Sequence, residues 1–185
     1  MRTTLKNISI CVPFFVLVLA SCESNFKDVQ RINSVAFSPV GRSETINLKY
    51  TDSGKVKAIL VSPLMLDYTQ LEYGFNEFPE GVNVTLLDAQ DKKTNVVSDY
   101  AITYANTDII DLQGNVKITS SDGNVLETEQ LYYDQKNEWF YTEKYFKFTD
   151  GQGGFLEGPG VDFSKDFKII NMQQNNGSGL INKID

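Results

Sequence analysis

Carboxylates are the side chains here most suited to chemistry: Asp108, Asp111, Asp122, Glu127, Glu129 and Asp134 fall in one short stretch. Two of them would suffice for a glycosidase's acid and its partner. They stand, however, among alternating strand residues and turn signals, where acids mostly mark turns and a solvated face. The chain has no histidine, which removes the commonest general base, the Ser/His/Asp and Cys/His arrangements, and most zinc and copper sites. The runs Gly151-Gln152-Gly153-Gly154 and Gly158-Pro159-Gly160 do not lead into a helix that would hold a phosphate, and read as bends or bulges. The Asp-rich turns lack calcium-loop spacing. The sequence therefore asks for no catalytic group, no metal and no cofactor. One cluster stays ambiguous: Tyr132, Tyr133, Trp139, Phe140, Tyr141, Tyr145, Phe146 and Phe148 form either an ordinary core or the lining of an apolar slot between two sheets.

The elements that must position these residues are strands. From Tyr100 to Asp134, apolar residues alternate with polar ones, in the pairs Ile102/Tyr104, Ile110/Leu112 and Val116/Ile118. That period sends one set of side chains to each face of a sheet. Gln113-Gly114-Asn115 and Asp122-Gly123-Asn124 supply the positive φ of tight turns. The same pattern runs outward from Glu44 to Met172, with about ten strands and no amphipathic helix of about twelve residues. An all-β sandwich, barrel or rolled sheet is predicted. The 185-residue length and 41% hydrophobic content suit one folded domain with extensions. A net charge of −7 argues against a nucleic-acid partner.

Residues 1–22 read as a targeting segment. Arg2 and Lys6 form a positive start, and Ile8 to Ala20 is apolar, interrupted by Pro13 and too short for a comfortable spanning helix of about 20 residues. It ends in Leu19-Ala20-Ser21-Cys22, which resembles the bacterial lipoprotein cleavage box and implies an acylated Cys22 at the mature N-terminus. The alternative is an ordinary secretory signal with an incidental Cys22. Cys11 leaves with the segment, so no disulfide is expected. Two positive charges and no acids leave too, and −7 becomes −9. Residues 23–43 read as a tether reaching several tens of ångströms at about 3.3 Å per residue, with Val35-Ala36-Phe37 as a possible edge strand. Residues 173–185 read as a loose tail in which Gly179-Leu180-Ile181 retains pairing potential.

Leu112-Gln113-Gly114-Asn115-Val116, then Leu126-Glu127-Thr128, Leu131-Tyr132-Tyr133-Asp134 and Gly158 in a Glu-Gly-Pro-Gly turn, together resemble the LptC family of lipopolysaccharide export. Ala101-Ile102-Thr103-Tyr104 and the Asp52-Ser53-Gly54 turn fit the same pattern. The resemblance implies an open β-jellyroll, a V-shaped roll of two antiparallel sheets with an apolar interior and no enzymatic activity. Its implied partners are the acyl chains of lipopolysaccharide, an ATP-driven transporter at the N-terminal edge and a further periplasmic jellyroll at the C-terminal edge. The implied location is the periplasm, anchored through Cys22 to the inner membrane. Familiar members of the family begin with a transmembrane helix instead of a cleavable signal.

The groove-lining candidates are Val56, Leu60, Ile102, Tyr104, Ile110, Leu112, Val116, Ile118, Leu126, Tyr133, Phe146 and Phe148. One bulge would flip the facing of everything downstream. A reading from another class is a lipid-anchored β-sandwich that binds carbohydrate or protein; it predicts a packed core and an exposed aromatic platform.

Overall fold

A computed structural model describes residues 38–172 and 178–180. The targeting segment, Cys22 and Val35-Ala36-Phe37 lie outside the described residues. All described elements are strands: β1 (Gly41–Asp52), β2 (Lys55–Asp67), β3 (Phe75–Phe78), β4 (Val82–Leu87), β5 (Lys93–Ser98) and β6 (Tyr100–Tyr104). They continue with β7 (Ile109–Ser120), β8 (Val125–Asp134), β9 (Trp139–Thr149), β10 (Phe155–Ser164), β11 (Ile170–Met172) and β12 (Ser178–Leu180). The sheet begins at Gly41, three residues before the Glu44 expected from the sequence. The chain's last described stretch returns to it, since Leu180 pairs with Phe155.

Every pairing is antiparallel, and the twelve strands form one hydrogen-bonded sheet. This sheet is bent across its middle into two leaves. In β7 the half from Val116 pairs with β5, and the half before Gln113 pairs with β6. In β2 the first half pairs with β4 and the last residues with β3. Leaf I thus contains β4, β5, β12 and the halves of β1, β2, β7, β8, β9 and β10 beside them; leaf II contains β3, β6, β11 and the other halves. The fold is all-β and consistent with the β-jellyroll expected, with a folded continuous sheet in place of two separate ones.

The bend is written into the backbone at each strand. Registers slip by one residue between Gln113 and Val116, between Thr128 and Tyr132, and between Pro159 and Val161. Thr45 (φ 54°), Gly81 (φ 81°), Gly114 (φ 72°), Asn115 (φ 47°) and Gly160 (φ 74°) take left-handed conformations along this line. A bulge frees carbonyls and amides from the ladder, and these need other partners. Buried hydroxyls supply them. Ser62 Oγ donates to the carbonyls of Gly81 (2.7 Å) and Leu64 (3.0 Å). Ser98 Oγ donates to Tyr100 O at 2.9 Å, and Thr128 Oγ1 to Tyr145 O at 2.9 Å. Asn115 Nδ2 ties the corner to Asp99 Oδ2 at 2.6 Å.

Between the leaves the side chains are apolar. One row crosses leaf I as Leu48, Leu60, Val84, Val96, Ile118, Leu126, Phe148 and Leu156. Leaf II answers with Phe78, Ala101, Leu112 and Leu131, and with Ile110, Tyr133, Phe140, Phe163 and Ile170. Most of these residues join one buried cluster. The outside of leaf I is polar, and Lys117, Glu127, Lys147 and Glu157 stand side by side on adjacent strands with alternating charge.

Gly81 allows a direct test of the corner. A Cβ there would lie 2.5 Å from Ser98 O, whereas Gly54, also left-handed at φ 78°, has nothing within 4 Å. Both Gly→Ala changes carry the left-handed penalty of about 1–2 kcal/mol. Urea melts should show Gly54→Ala losing no more than about 2 kcal/mol and Gly81→Ala losing clearly more, because its clash is with backbone.

Candidate functional site

The space between the leaves is the candidate site, and the bend determines what enters it. Leu112, Val116, Ile118, Leu126, Tyr133, Phe146 and Phe148 are all buried in the shared cluster. Leu60 and Ile110 are half-buried and packed against it. Val56 is half-buried toward the hairpin end of β2, where the register slips between Tyr50 and Thr51; it pairs with Thr51 and is not among the residues packed against the cluster.

Ile102 and Tyr104 are the corrections. Val96 and Ser98 point inward, and strict alternation would continue with 100, 102 and 104. The kink at Asp99 shifts the phase by one residue, so Ala101 is buried at 1% exposure and pairs with Leu112. Ile102 pairs with Asp111 and Tyr104 with Phe75 on the opposite face. β7 keeps its phase because Gly114 and Asn115 together span the bend, which is why its four candidates all point inward.

The leaves are joined unequally on their two sides. At the corner they share backbone hydrogen bonds. At their hairpin tips they meet through side chains. Phe148 of leaf I stacks on Phe167 at 5.6 Å, Phe167 on Phe163 of leaf II at 5.0 Å, and Phe163 on Phe140 at 5.2 Å. Tyr133 completes the series, 4.4 Å from Phe140. Phe167 sits in the β10–β11 loop with φ 57°. No local periodicity marks it, since it is a loop residue turned inward.

Beside this seam lies a cleft of about 660 Å³, lined by Leu86, Asp88 and Asp122 from leaf I and by Glu138, Phe167 and Lys168 from the opposite tip. Its rim carries four lysines and four carboxylates. Lys92 pairs with Asp122 at 2.9 Å and Lys165 with Glu138 at 3.0 Å within their own leaves. Lys168 pairs with Asp166 at 2.7 Å and feels the Asp88 charge across the seam. Hydrogen bonds from the Lys168 side chain and from Ser164 hold the Asp166 carboxyl down at about 2.

The edges differ as well. β1 has β2 on one side and no strand on the other among the described residues. Its Leu48 and Tyr50 share the inner face with Leu60 and Ala58 yet are 49% and 66% exposed. Burial along leaf I therefore falls from complete at Ile118 to slight at β1, and the apolar interior runs out to an open lip.

The structure is a folded sheet of bulged antiparallel strands around an apolar interior. Residues 29–177 match the family described as lipopolysaccharide-assembly, LptC-related. The chain belongs to the LptC family. Membership implies a role in lipopolysaccharide transport at the periplasmic side of the cell envelope. Among curated proteins, none matches this chain. Among the described residues, no helix is long and apolar enough to cross a membrane and no cluster of side chains suits a metal ion.

Tyr133 reports on the interior. Burial first, then the charges of Glu138 and Asp134, push its hydroxyl well above the ordinary range. The unfolded chain releases this proton near pH 10 while the folded chain keeps it. Stability is therefore intact below pH 10 and falls as pH rises beyond it. Denaturant midpoints measured from pH 8 to 11.5 should decline at the alkaline end, and Tyr133→Phe should make that decline shallower.

Proposed function

We propose that this LptC-family chain is a periplasmic bridge component, anchored through an acylated Cys22, that takes lipopolysaccharide from an ATP-driven transporter and passes it to a further jellyroll. The observation that carries this reading is the unequal joining of the leaves. A backbone-bonded corner opposes a seam of side chains, with a continuous apolar interior between them. Such a roll parts along the seam and receives acyl chains among Leu112, Val116, Ile118, Leu126, Phe146 and Phe148. Leu60 and Ile110 stand at the half-buried margin where entering chains are first covered, Val56 lies further out at the hairpin end of β2, and Tyr133 lies under the seam.

The energetics favour a lined path. Carrying one acyl chain of about 14 carbons through water costs on the order of 10 kcal/mol, at about 0.8 per methylene. A lipid with several chains needs apolar walls at every step. Those walls need no acid, base or metal, which agrees with a sequence without histidine.

The edges are the joints of the bridge. The twelve-residue β1 presents a backbone edge that no strand covers among the described residues and that suits strand addition, and a partner there would also cover Leu48 and Tyr50. We assign this N-terminal edge to the transporter. The C-terminal edge is β10, whose far side is covered by β11 and β12 at three residues each; it faces the next roll. Residues 1–22 serve as the cleaved lipoprotein signal, 23–40 as the tether that lifts the roll from the inner membrane, and 173–185 as a tail whose segment 178–180 pairs with β10.

Photo-crosslinking from position 112 or 148 tests the groove. Probes there should capture lipopolysaccharide while the bridge runs, and probes at position 127 on the polar outside should not. Absence of capture at both interior positions during active transport would exclude the interior route. Pull-down of the acylated protein from membranes should recover the transporter subunits.

A further inference from the structure

The two residues that the bend turned outward belong to a second surface. On the outer face of leaf II, one row runs Leu66, Glu77, Ile102, Asp111, Tyr132, Tyr141 and Asp162 across successive strands. Beside it stand Tyr100, Gln113 and Gln130, and on the other side Phe75, Tyr104 and Trp139. The rings form two groups. Tyr132 and Tyr141 stack at 5.1 Å with planes 19° apart. Tyr68 stacks on Phe75 at 4.8 Å, and Tyr104 leans on Phe75 at 6.5 Å. The strand of Tyr104 and that of Tyr132 are two steps apart, about 10 Å at roughly 4.8 Å per step.

Between the two groups lies Asp111, only 5% exposed although it is on the outer face. Its oxygens accept from Gln113 Nε2 (2.7 Å) and Gln130 Nε2 (2.9 Å). Gln130 Nε2 also donates to the Tyr132 hydroxyl at 2.8 Å. The carboxylate thus holds both amide nitrogens down and leaves both amide oxygens, neither hydrogen-bonded among the described residues, as outward acceptors. Those oxygens meet solvent, since among the described residues no buried side-chain polar atom lacks a partner. Tyr100 donates to Glu77 at 2.8 Å, and Trp139 Nε1 to Asp162 at 3.1 Å. Burial raises the pKa of Tyr100, Tyr104, Tyr132 and Tyr141, and the Asp111 charge adds to this in all four.

We propose that this face binds a neutral glycan. Flat aromatic steps accept the C–H faces of sugar rings, and fixed amide and carboxylate oxygens accept their hydroxyl hydrogens. The sign of the charge sets the class. The face carries Glu77, Asp111, Asp134 and Asp162; of the cations near it, Arg42 across from Leu66 is paired with Glu44 at 3.1 Å, and the Lys136 charge acts on Asp134. Phosphorylated and carboxylated saccharides are repelled. A bound cation gains little from Asp111, whose oxygens are taken and shielded. The site is independent of the interior and stands whether or not acyl chains enter there.

Affinity electrophoresis of the full chain, in gels holding dextran, mannan or galactomannan, tests this. At least one neutral polymer should retard the protein, while dextran sulfate should not. Tyr132→Ala and Gln130→Ala should each weaken retardation by about tenfold or more, some 1.4 kcal/mol, with unchanged circular dichroism. Gln130→Ala keeps the test valid if Tyr132→Ala fails to fold. Retardation by none of the three polymers overturns the proposal, as does equal binding to dextran sulfate. Undiminished retardation of a folded Gln130→Ala protein also overturns it, and so does a concentration-dependent dimer abolished by that change in place of glycan binding.

Discussion

Everything in this fold depends on how one antiparallel sheet turns a corner. A sheet bends sharply only where the ladder is broken, and broken ladders expose backbone groups that need partners when buried. Left-handed residues at Thr45, Gly81, Gly114, Asn115 and Gly160 make the turn. Ser62, Ser98 and Thr128, three of the few buried polar residues, take up the groups it frees. The hydroxyls sit inside an otherwise apolar interior because the corner requires them. Their position also explains why the two leaves are held so firmly on one side and so lightly on the other.

On the function proposed above, that asymmetry is what would separate a lipid conduit from an ordinary sandwich. A fully packed sandwich is closed by complementary side chains around its whole rim. Here the seam opposite the corner is a file of stacked rings around Phe167 and a few lysines and carboxylates, mostly paired within one leaf. An exposed pair such as Lys92–Asp122 contributes at most about 1 kcal/mol. On the proposed route, parting the seam would expose apolar surface that an acyl chain at once covers again, so the ligand itself would offset most of the cost of opening. Membership of the LptC family gives this geometry its context in lipopolysaccharide transport.

Much of the fold was legible from alternation and turns. Val116, Ile118, Leu126 and Phe146 declared their facing because their runs are short and flanked by recognisable turn residues. Ile102 and Tyr104 did not. Asp99 resembles any polar strand residue, and its phase shift exists only because β7 bulges opposite it. The same holds for Phe167, which is core by virtue of a loop conformation. Periodicity records what a strand does between bends; where the bends fall is settled by neighbouring strands. The aromatic cluster admitted both readings, lining and platform, and the structure divides it between them. Tyr133, Phe140, Phe146 and Phe148 go to the interior, and Tyr132, Tyr141 and Trp139 to the outer face.

The central claim is that lipid enters by parting the seam. A bridged variant addresses it most directly. Asp88→Cys and Lys168→Cys, on opposite tips, can be joined by a short thiol-to-thiol crosslinker that is cleaved by reduction. With lipopolysaccharide capture at position 148 as the readout, the bridged protein should capture little, and reduction should restore capture to the unbridged level. Equal capture before and after reduction would contradict the account.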